Sequence, residues 1–435
     1  MTLKEHFRKN IVLSLPVIIG QLGHIMVGVA DSVMVGRVGV IPLAAATFAG
    51  TFYHILMLFG IGVSYAITPL VAATDPREEK KLLGFLESGF VLNLTLGVVL
   101  FSISVIVSQF LQYFGQEEAV ATAGKPYLQI MGFSLIPMMI FQSFRQYSEG
   151  LSDTLKPMIV SIVANLANVG LNYLLIYGKM GAPALGLNGA GIATLMSRML
   201  MFALMIWLVR KRCKGFKWNV DFAIIRQLLK LGLPSGLQYV FEIGAFATAA
   251  IMVGWIGAEA LAAHNIALNL AAISYMAATG LAAASTIRIG NQMGLKDRHN
   301  LRVAGFSAFG MVIVFMGLCG LTLILGRYFF PALYIDNEAV QESAATLLII
   351  AAAFQISDGI QAVGLGVLRG LRDVRVPTLV TFFAFWFTSI PCGYIFAFVI
   401  GWGLNGIWYA LSLGLTFAGI LHLWRFNRLS KRIKF

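Results

Sequence analysis

The sequence predicts an all-α polytopic membrane protein: twelve transmembrane helices in two pseudo-symmetric six-helix bundles with a central cleft. Three observations carry this expectation. Of the 435 residues, 58% are hydrophobic and only 12% are charged, whereas a soluble domain carries about 25% charged residues. Apolar runs long enough to cross a bilayer occur twelve times along the chain. The second half of the chain also repeats the first.

The runs cover approximately 11–36, 43–73, 83–110, 122–148, 156–177, 188–209, 228–255, 260–289, 302–330, 339–368, 375–400 and 404–424. Charged or Gly/Pro-rich turns separate them. Several exceed the roughly 20 residues needed to span hydrocarbon, so tilted or kinked helices are expected. The first run follows the basic start "MTLKEHFRKN" and ends without a small-residue cleavage site. It therefore reads as a first helix rather than a signal peptide. Pro16 and Pro234 lie inside runs 1 and 7. Each removes a backbone donor there and is expected to bend its helix.

The formal charge of +13, from 32 basic and 19 acidic residues, would raise nucleic-acid binding in a soluble protein. Here topology explains it. With both termini in the cytoplasm, 27 of the 32 Lys and Arg fall in cytoplasmic segments, which is a strong positive-inside bias. No nucleic-acid partner is implied, and membrane lipid is the expected surround. The three cysteines, Cys213, Cys319 and Cys392, are far apart and suggest neither a disulfide framework nor a zinc site.

The repeat sets the domain plan. A shift of 218 brings Leu13, Leu15 and Pro16 onto Leu231, Leu233 and Pro234, and "MVG" at 34–36 onto "MVG" at 252–254. A shift of 220 pairs Gly150, Leu151, Asp153 and Pro157 with Gly370, Leu371, Asp373 and Pro377. The expected division is an N-terminal lobe at 1–214, a cytoplasmic linker at 215–225 and a C-terminal lobe at 226–435. An even number of helices per half makes the repeats parallel, and such paired bundles suit alternating access.

Besides Glu87 and Glu342, which lie within five residues of the start of a run, three acids lie within the runs. They are Asp31 in the first, Glu242 in the seventh and Asp358 in the tenth. Asp358 has about ten helical residues before Arg369, which places it roughly 15 Å deep. An acid at that depth costs about 2.5–3.5 kcal/mol on insertion scales, so each acid is expected to face the bundle interior or a water-filled cavity. There a carboxyl can exchange a proton or a sodium ion. The alternative for each is a plain helix–helix hydrogen bond or a buried base.

Gln238 lies one turn before Glu242, and Gln355 and Gln361 lie three residues either side of Asp358. These amides could orient the carboxylates. Asn168 and Asn172 share a helix face, and with Asp31 and Thr194 they could form an oxygen-rich cation site of the kind hard cations prefer. Interhelical hydrogen bonding is the other reading of the asparagines. His264, in "LAAHNIALN", is expected to be a packed, hydrogen-bonded residue. Arg198 stands alone within a run, with no partner evident from sequence. The acids themselves do not repeat, since the shift of 218 takes Asp31 to Ala249 and returns Glu242 to His24.

No G-x-x-x-x-G-K-[ST] occurs, so no P-loop nucleotide site is expected. H-E-x-x-H is absent, and no G-x-S-x-G elbow sits at a strand-to-helix turn. The chain does not read as an enzyme and needs no cofactor. Transport would run on an ion gradient.

The strings "VADSVMVGRVG", "GLSDTLKP", "LPSGLQYVFEIGAFA", "LAAHNIALN" and "SDGIQAVGLGVLRGLRD" together resemble the multidrug and toxic compound extrusion (MATE) transporters, in their NorM-like branch. The likeness covers essentially the whole chain. It implies export of cationic amphipathic drugs or dyes by antiport with Na+ or H+, from a multi-pass position in a bacterial inner membrane, and a monomer is expected. By the same resemblance Glu242 and Asp358 are the second-lobe cation-binding acids, where Na+ could sit. Asp31, Asn168 and Asn172 fall on the first-lobe cation site. The family often has a tyrosine one turn before the tenth-helix acid, where this chain has Phe354; the missing hydroxyl bears on ion preference. The alternative function is a lipid-linked precursor flippase of the same superfamily. That activity would favour intramembrane bases, and this chain offers intramembrane acids instead.

Overall fold

A computed structural model describes residues 2–433 except 214 and 219. Among the described residues there are twelve helices long and apolar enough to cross a membrane, and no strand. They are α1 (Leu3–Gly36), α2 (Val40–Ala72), α3 (Glu79–Phe114), α4 (Glu118–Gly150), α5 (Leu155–Tyr177) and α6 (Gly186–Val209), followed by α7 (Phe222–Ile256), α8 (Ala258–Gly294), α9 (Arg298–Leu325), α10 (Glu338–Gly370), α11 (Arg375–Val399) and α12 (Gly403–Arg432). Most extend a turn or two beyond the apolar runs, because their ends continue as helix into the charged flanks. Both α1 and α7 run through their prolines.

Contacts divide the chain into two compact units. One is Ile19–Gly236, and the other joins the chain up to Ile18 with everything from Leu237 on. This division differs in kind from the division by repeat, because its two cuts fall inside α1 and α7. In the first unit Tyr53, Leu100, Leu111, Leu128 and Leu135 build a core between α2, α3 and α4. Val35, Ala45, Ile176 and Leu187 form a second cluster. The first part of α7 packs here by backbone approach: a Cβ at Gly236 would come within 2.8 Å of the Phe59 carbonyl oxygen.

In the second unit α8 and α10 form the centre. Ala267, Leu347, Leu348, Ala351, Phe385 and Trp408 make one core cluster. Val312, Met316, Val363, Leu368 and Phe426 make another. The start of α1 belongs to this unit, with Leu13 packed against Ala284 and Ile287 of α8. Polar groups fix it as well, since Asn10 Nδ2 donates to Ser307 Oγ at 3.1 Å and Arg288 donates to His6 Nδ1 at 2.7 Å.

Several helices depart from regular winding for visible reasons. In α11 the stretches Phe383–Ser389 and Ile395–Val399 are wound wide, with five-residue hydrogen-bond steps. Thr388 and Ser389 hydroxyls donate to the carbonyls of Phe383 and Ala384, five residues back. Pro391 brings no N–H to the ladder there, a common cause of local rewinding.

One short motif closes three helices at the same kind of end. Gly150-Leu-Ser152-Asp153, Gly294-Leu-Lys296-Asp297 and Gly370-Leu-Arg372-Asp373 end α4, α8 and α10. Their third residues are left-handed, with φ of 63°, 55° and 62°. In each, the aspartate N–H reaches back to a carbonyl five residues earlier, at 3.0, 3.1 and 2.9 Å. This is the Schellman closure of a helix. The aspartate then holds the next element. Asp297 caps α9 by accepting from the Asn300 N–H at 3.0 Å. That N–H, and then the Asn300 side chain, hold the Asp297 carboxyl below the ordinary carboxylate range. Asp153 pairs with Lys156 at 2.8 Å and Arg212 at 3.2 Å, and Asp373 takes Arg425 at 2.5 and 3.0 Å.

Left-handed backbone costs an L-residue with a Cβ about 1–2 kcal/mol. Glycine removes that strain but adds entropy to the unfolded chain. Lys296 is exposed, so Lys296→Gly is expected to raise stability by about 0.5–1 kcal/mol. Thermal melting of the purified protein checks this; an unchanged or lower midpoint would show that the lysine side chain contributes a contact of its own.

Candidate functional site

Each unit brings its own set of sequence-predicted residues together. In the first unit the latter part of α1, α5 and α6 converge. Asn172 Nδ2 donates to Asp31 Oδ1 at 2.5 Å and to Asn168 Oδ1 at 3.1 Å. Asn168 Nδ2 in turn donates to Thr194 Oγ1 at 3.4 Å. The four residues thus form one hydrogen-bonded chain across three helices. It works because Asn168 and Asn172 are one turn apart on one face of α5. Both are buried, and Asn172 Oδ1 has no partner among the described residues. A buried acceptor left open beside a carboxylate is the kind of atom that a proton-bearing group or a hard cation satisfies.

Arg198 lies one turn beyond Thr194 on α6. Its guanidinium donates to Ser134 Oγ at 3.0 Å and lies over the Tyr53 ring, 5.2 Å from the centroid. It forms no ion pair within 4 Å among the described residues. Ser134 lies where α4 is interrupted, and its hydroxyl donates in turn to the Met131 carbonyl at 2.6 Å.

In the second unit Glu242 (α7) and Asp358 (α10) are 8% and 7% exposed. They stand close enough for their charges to act on each other. Tyr275 of α8 joins them: its hydroxyl donates to Glu242 Oε1 at 3.3 Å, and it also senses Asp358 and Tyr239. No Lys or Arg makes an ion pair with either acid among the described residues. Two carboxylates in a low-dielectric site cannot both stay ionised at small cost. A proton or a bound cation resolves the conflict.

The surrounding residues sort differently from the sequence reading. Gln355 and Gln361 are 1% exposed and hydrogen-bond neither acid; all four of their amide atoms lack a partner among the described residues. A step of three residues turns the helix by about 60°, which sets both amides to the side of the carboxylate. Gln238 is buried one turn before Glu242. Phe354 and His264 belong to an aromatic block. Trp408 Nε1 donates to His264 Nδ1 at 3.1 Å, and the Phe354 ring packs edge-on against Trp408 with centroids 5.7 Å apart. The packed, hydrogen-bonded reading of His264 matches this placement.

Sequence reasoning missed Tyr275 and Trp408. Tyr275 was findable as the one hydroxyl-bearing ring in the alanine-rich stretch "AAISYMAAT". Trp408 carried no signal, because its partner is 144 residues away.

Twelve apolar helices in two repeats, with acids held in the apolar span of each unit, define a polytopic membrane transporter. The MatE family model matches residues 16–174 and again 234–395, two segments whose starts are 218 residues apart, as in the repeat. The chain belongs to this family, the MATE transporters, in its NorM-like branch. It is 32% identical over 441 residues to a "Probable multidrug resistance protein NorM" of Rhizobium meliloti, covering 98% of this chain and 94% of the relative. It is 33% identical over 428 residues to "Multidrug resistance protein MdtK" of Photorhabdus laumondii, covering 95% and 93%. Among solved structures it superposes on an outward-facing multidrug resistance MATE family transporter of the MOP superfamily. The TM-score is 0.89 at 20% identity, with 99% and 97% of the chains covered. The Vibrio cholerae MATE transporter VcmN in its bent form gives a TM-score of 0.88 at 18% identity, covering 99% and 98%.

Proposed function

We propose that this chain exports cationic amphipathic compounds, drugs and dyes among them, in exchange for Na+ or H+ by alternating access. Its place is the bacterial inner membrane, with both termini in the cytoplasm. The observation that carries the reading is the pair Glu242 and Asp358, buried together and without a basic partner among the described residues. Such a site attracts a cation from either side. A drug cation and the coupling ion then compete for it directly or through opposite conformations, and a ligand drives the exchange only by its preference for one state. The names of the curated relatives agree with a multidrug substrate range, and the distribution of Lys and Arg agrees with the orientation.

Ethidium efflux from proteoliposomes, run under separately imposed Na+ and H+ gradients, tests it. One of the two gradients is expected to accelerate efflux, and that gradient names the ion. Wild-type protein that moves no cation under either gradient overturns the proposal and brings the flippase reading forward.

A further inference from the structure

The start of α1 is tied to α8 and α9 by polar groups that neither acid site uses. Arg288 of α8 is 3% exposed and forms no ion pair within 4 Å among the described residues. Its hydrogen bonds there all go to α1. Nη2 donates to His6 Nδ1 at 2.7 Å, and Nη1 donates to the His6 carbonyl at 3.2 Å and to Asn10 Oδ1 at 3.4 Å. His6 and Asn10 are one turn apart and enclosed, at 0% and 1% exposed. On its other edge the His6 ring meets α9, with Nε2 at 3.0 Å from Asn300 Oδ1. Asn300 Nδ2 in turn donates to Asp297 Oδ2 at 2.6 Å.

These contacts admit one form of the imidazole. Nδ1 must be the bare acceptor, since a guanidinium only donates. Nε2 must carry the proton, because the Asn300 oxygen accepts. A second proton, on Nδ1, would set two donors and two positive charges 2.7 Å apart. The charges of Lys9 and of the chain's amino group also reach the ring, and His6 sits in the first turn of α1, where the helix dipole disfavours a cation. No carboxylate offsets them directly: Glu5 turns to the Thr2 N–H, and Asp297 meets the ring only through Asn300.

The fold does not require this network. Thr68 and Thr286 are related by the shift of 218 and make equivalent hydrogen bonds, to the carbonyls of Gln146 and Gly366. The repeat therefore keeps its register here. In that register His6, Asn10 and Arg288 correspond to Ile224, Leu228 and Leu70. Where one half has three apolar side chains, the other has a histidine, an asparagine and an arginine. Burying the polar set costs more than burying the apolar one, so packing alone does not account for it.

We infer that His6 is a proton-operated latch: with a neutral ring it clamps the first turns of α1 to α8 and α9, and a proton taken from water at that membrane face releases them. The proton binds the Nδ1 lone pair, and the hydrogen bond from Arg288 to Nδ1 breaks. The dependence on pH runs one way. A freed imidazole takes up its proton in the ordinary range, about 6.5, whereas the clamped ring must first give up a hydrogen bond. The clamped form is therefore favoured above that range and is lost as pH falls below it. Asp31 lies further along the same helix, so release frees the first turns of the helix that carries the first-unit acid. The latch acts whichever ion drives transport, and it does not rest on the antiport reading.

The test measures the distance between spin labels at Arg8→Cys and His299→Cys, exposed positions on α1 and α9. It uses the full chain in lipid nanodiscs, with Cys213, Cys319 and Cys392 replaced by serine. As pH falls from about 8 to about 5, a longer distance is expected to appear and grow. Its ratio to the short one should rise by at most about tenfold per pH unit, the limit for one proton. His6→Gln keeps a neutral acceptor and donor and should hold the short distance throughout. His6→Lys carries a fixed charge and should show the long distance even at the alkaline end. Either variant serves if the other does not fold, and the wild-type titration needs neither. A wild-type distance that ignores pH overturns the latch, and so does a short distance in folded His6→Lys. A pH response that persists in His6→Gln also overturns it and assigns the release to another group, such as Asp297.

Discussion

Asp358→Asn and Glu242→Gln are each expected to lower gradient-driven ethidium efflux by about 100-fold, the upper range of the coupling energy between two ligands of one protein. Both substitutions keep side-chain size and remove only the ability to ionise. Neither should harm insertion, because a neutral amide is cheaper in the membrane than a carboxylate. The acids act on each other and Tyr275 binds Glu242 at 3.3 Å, so the two losses should not add. The double variant is expected to be no worse than either single one, as for residues that form one unit. Efflux rates under imposed gradients, normalised to folded protein, measure this. Two independent losses that multiply would mean separate sites, and a wild-type rate in either single variant would remove that acid from the coupling site. Asp31→Asn is the companion measurement: if it alone is inactive, coupling belongs to the Asp31–Asn172–Asn168–Thr194 chain of the first unit.

The largest stability effect is expected at Arg145–Glu149. Arg145 Nε lies 2.7 Å from Glu149 Oε1, one turn apart on α4, with side chains 9% and 4% exposed. Nearly every residue from Leu135 to Gly150 is buried, so neither charge reaches water easily. Arg145→Met leaves the Glu149 charge enclosed and is expected to cost about 3–5 kcal/mol. Arg145→Met/Glu149→Leu removes both charges and should recover most of that loss, since replacing a whole buried pair by apolar residues is often neutral or better. Thermal unfolding in detergent reads the difference. A double variant no more stable than the single one would show that the pair is held by its further neighbours rather than by mutual attraction. An exposed pair such as Lys81–Glu78, with side chains 55% and 50% exposed, is expected to matter far less.

Particular residues show how far the sequence reaches. The run at 339–368 could be read as a spanning helix with an expensive acid in its middle, because hydropathy and charge are local properties. The grouping of Asp31, Asn168, Asn172 and Thr194 was suggested by the i, i+4 spacing of two asparagines and by family resemblance, and the structure places all four in one chain of hydrogen bonds. The third Gly-Leu-x-Asp closure, at Gly294–Asp297, lies outside the register of the repeat, so the duplication carries no signal for it. Tyr275 was visible as a residue but not as a partner of Glu242.

What the sequence by itself determined is whatever depends on neighbours along the chain: the twelve helices, their apolar faces, the duplication, and the presence of three acids that lipid would not tolerate. What only the tertiary structure decided is where the compact units begin and end, and which distant groups meet. The cuts inside α1 and α7, the hydroxyl of Tyr275 on Glu242 and the indole of Trp408 on His264 all depend on the rotation of one helix against another. That rotation is set by the packing of many side chains at once, such as the close approaches allowed at Gly364 and Gly419. No single stretch of sequence contains it.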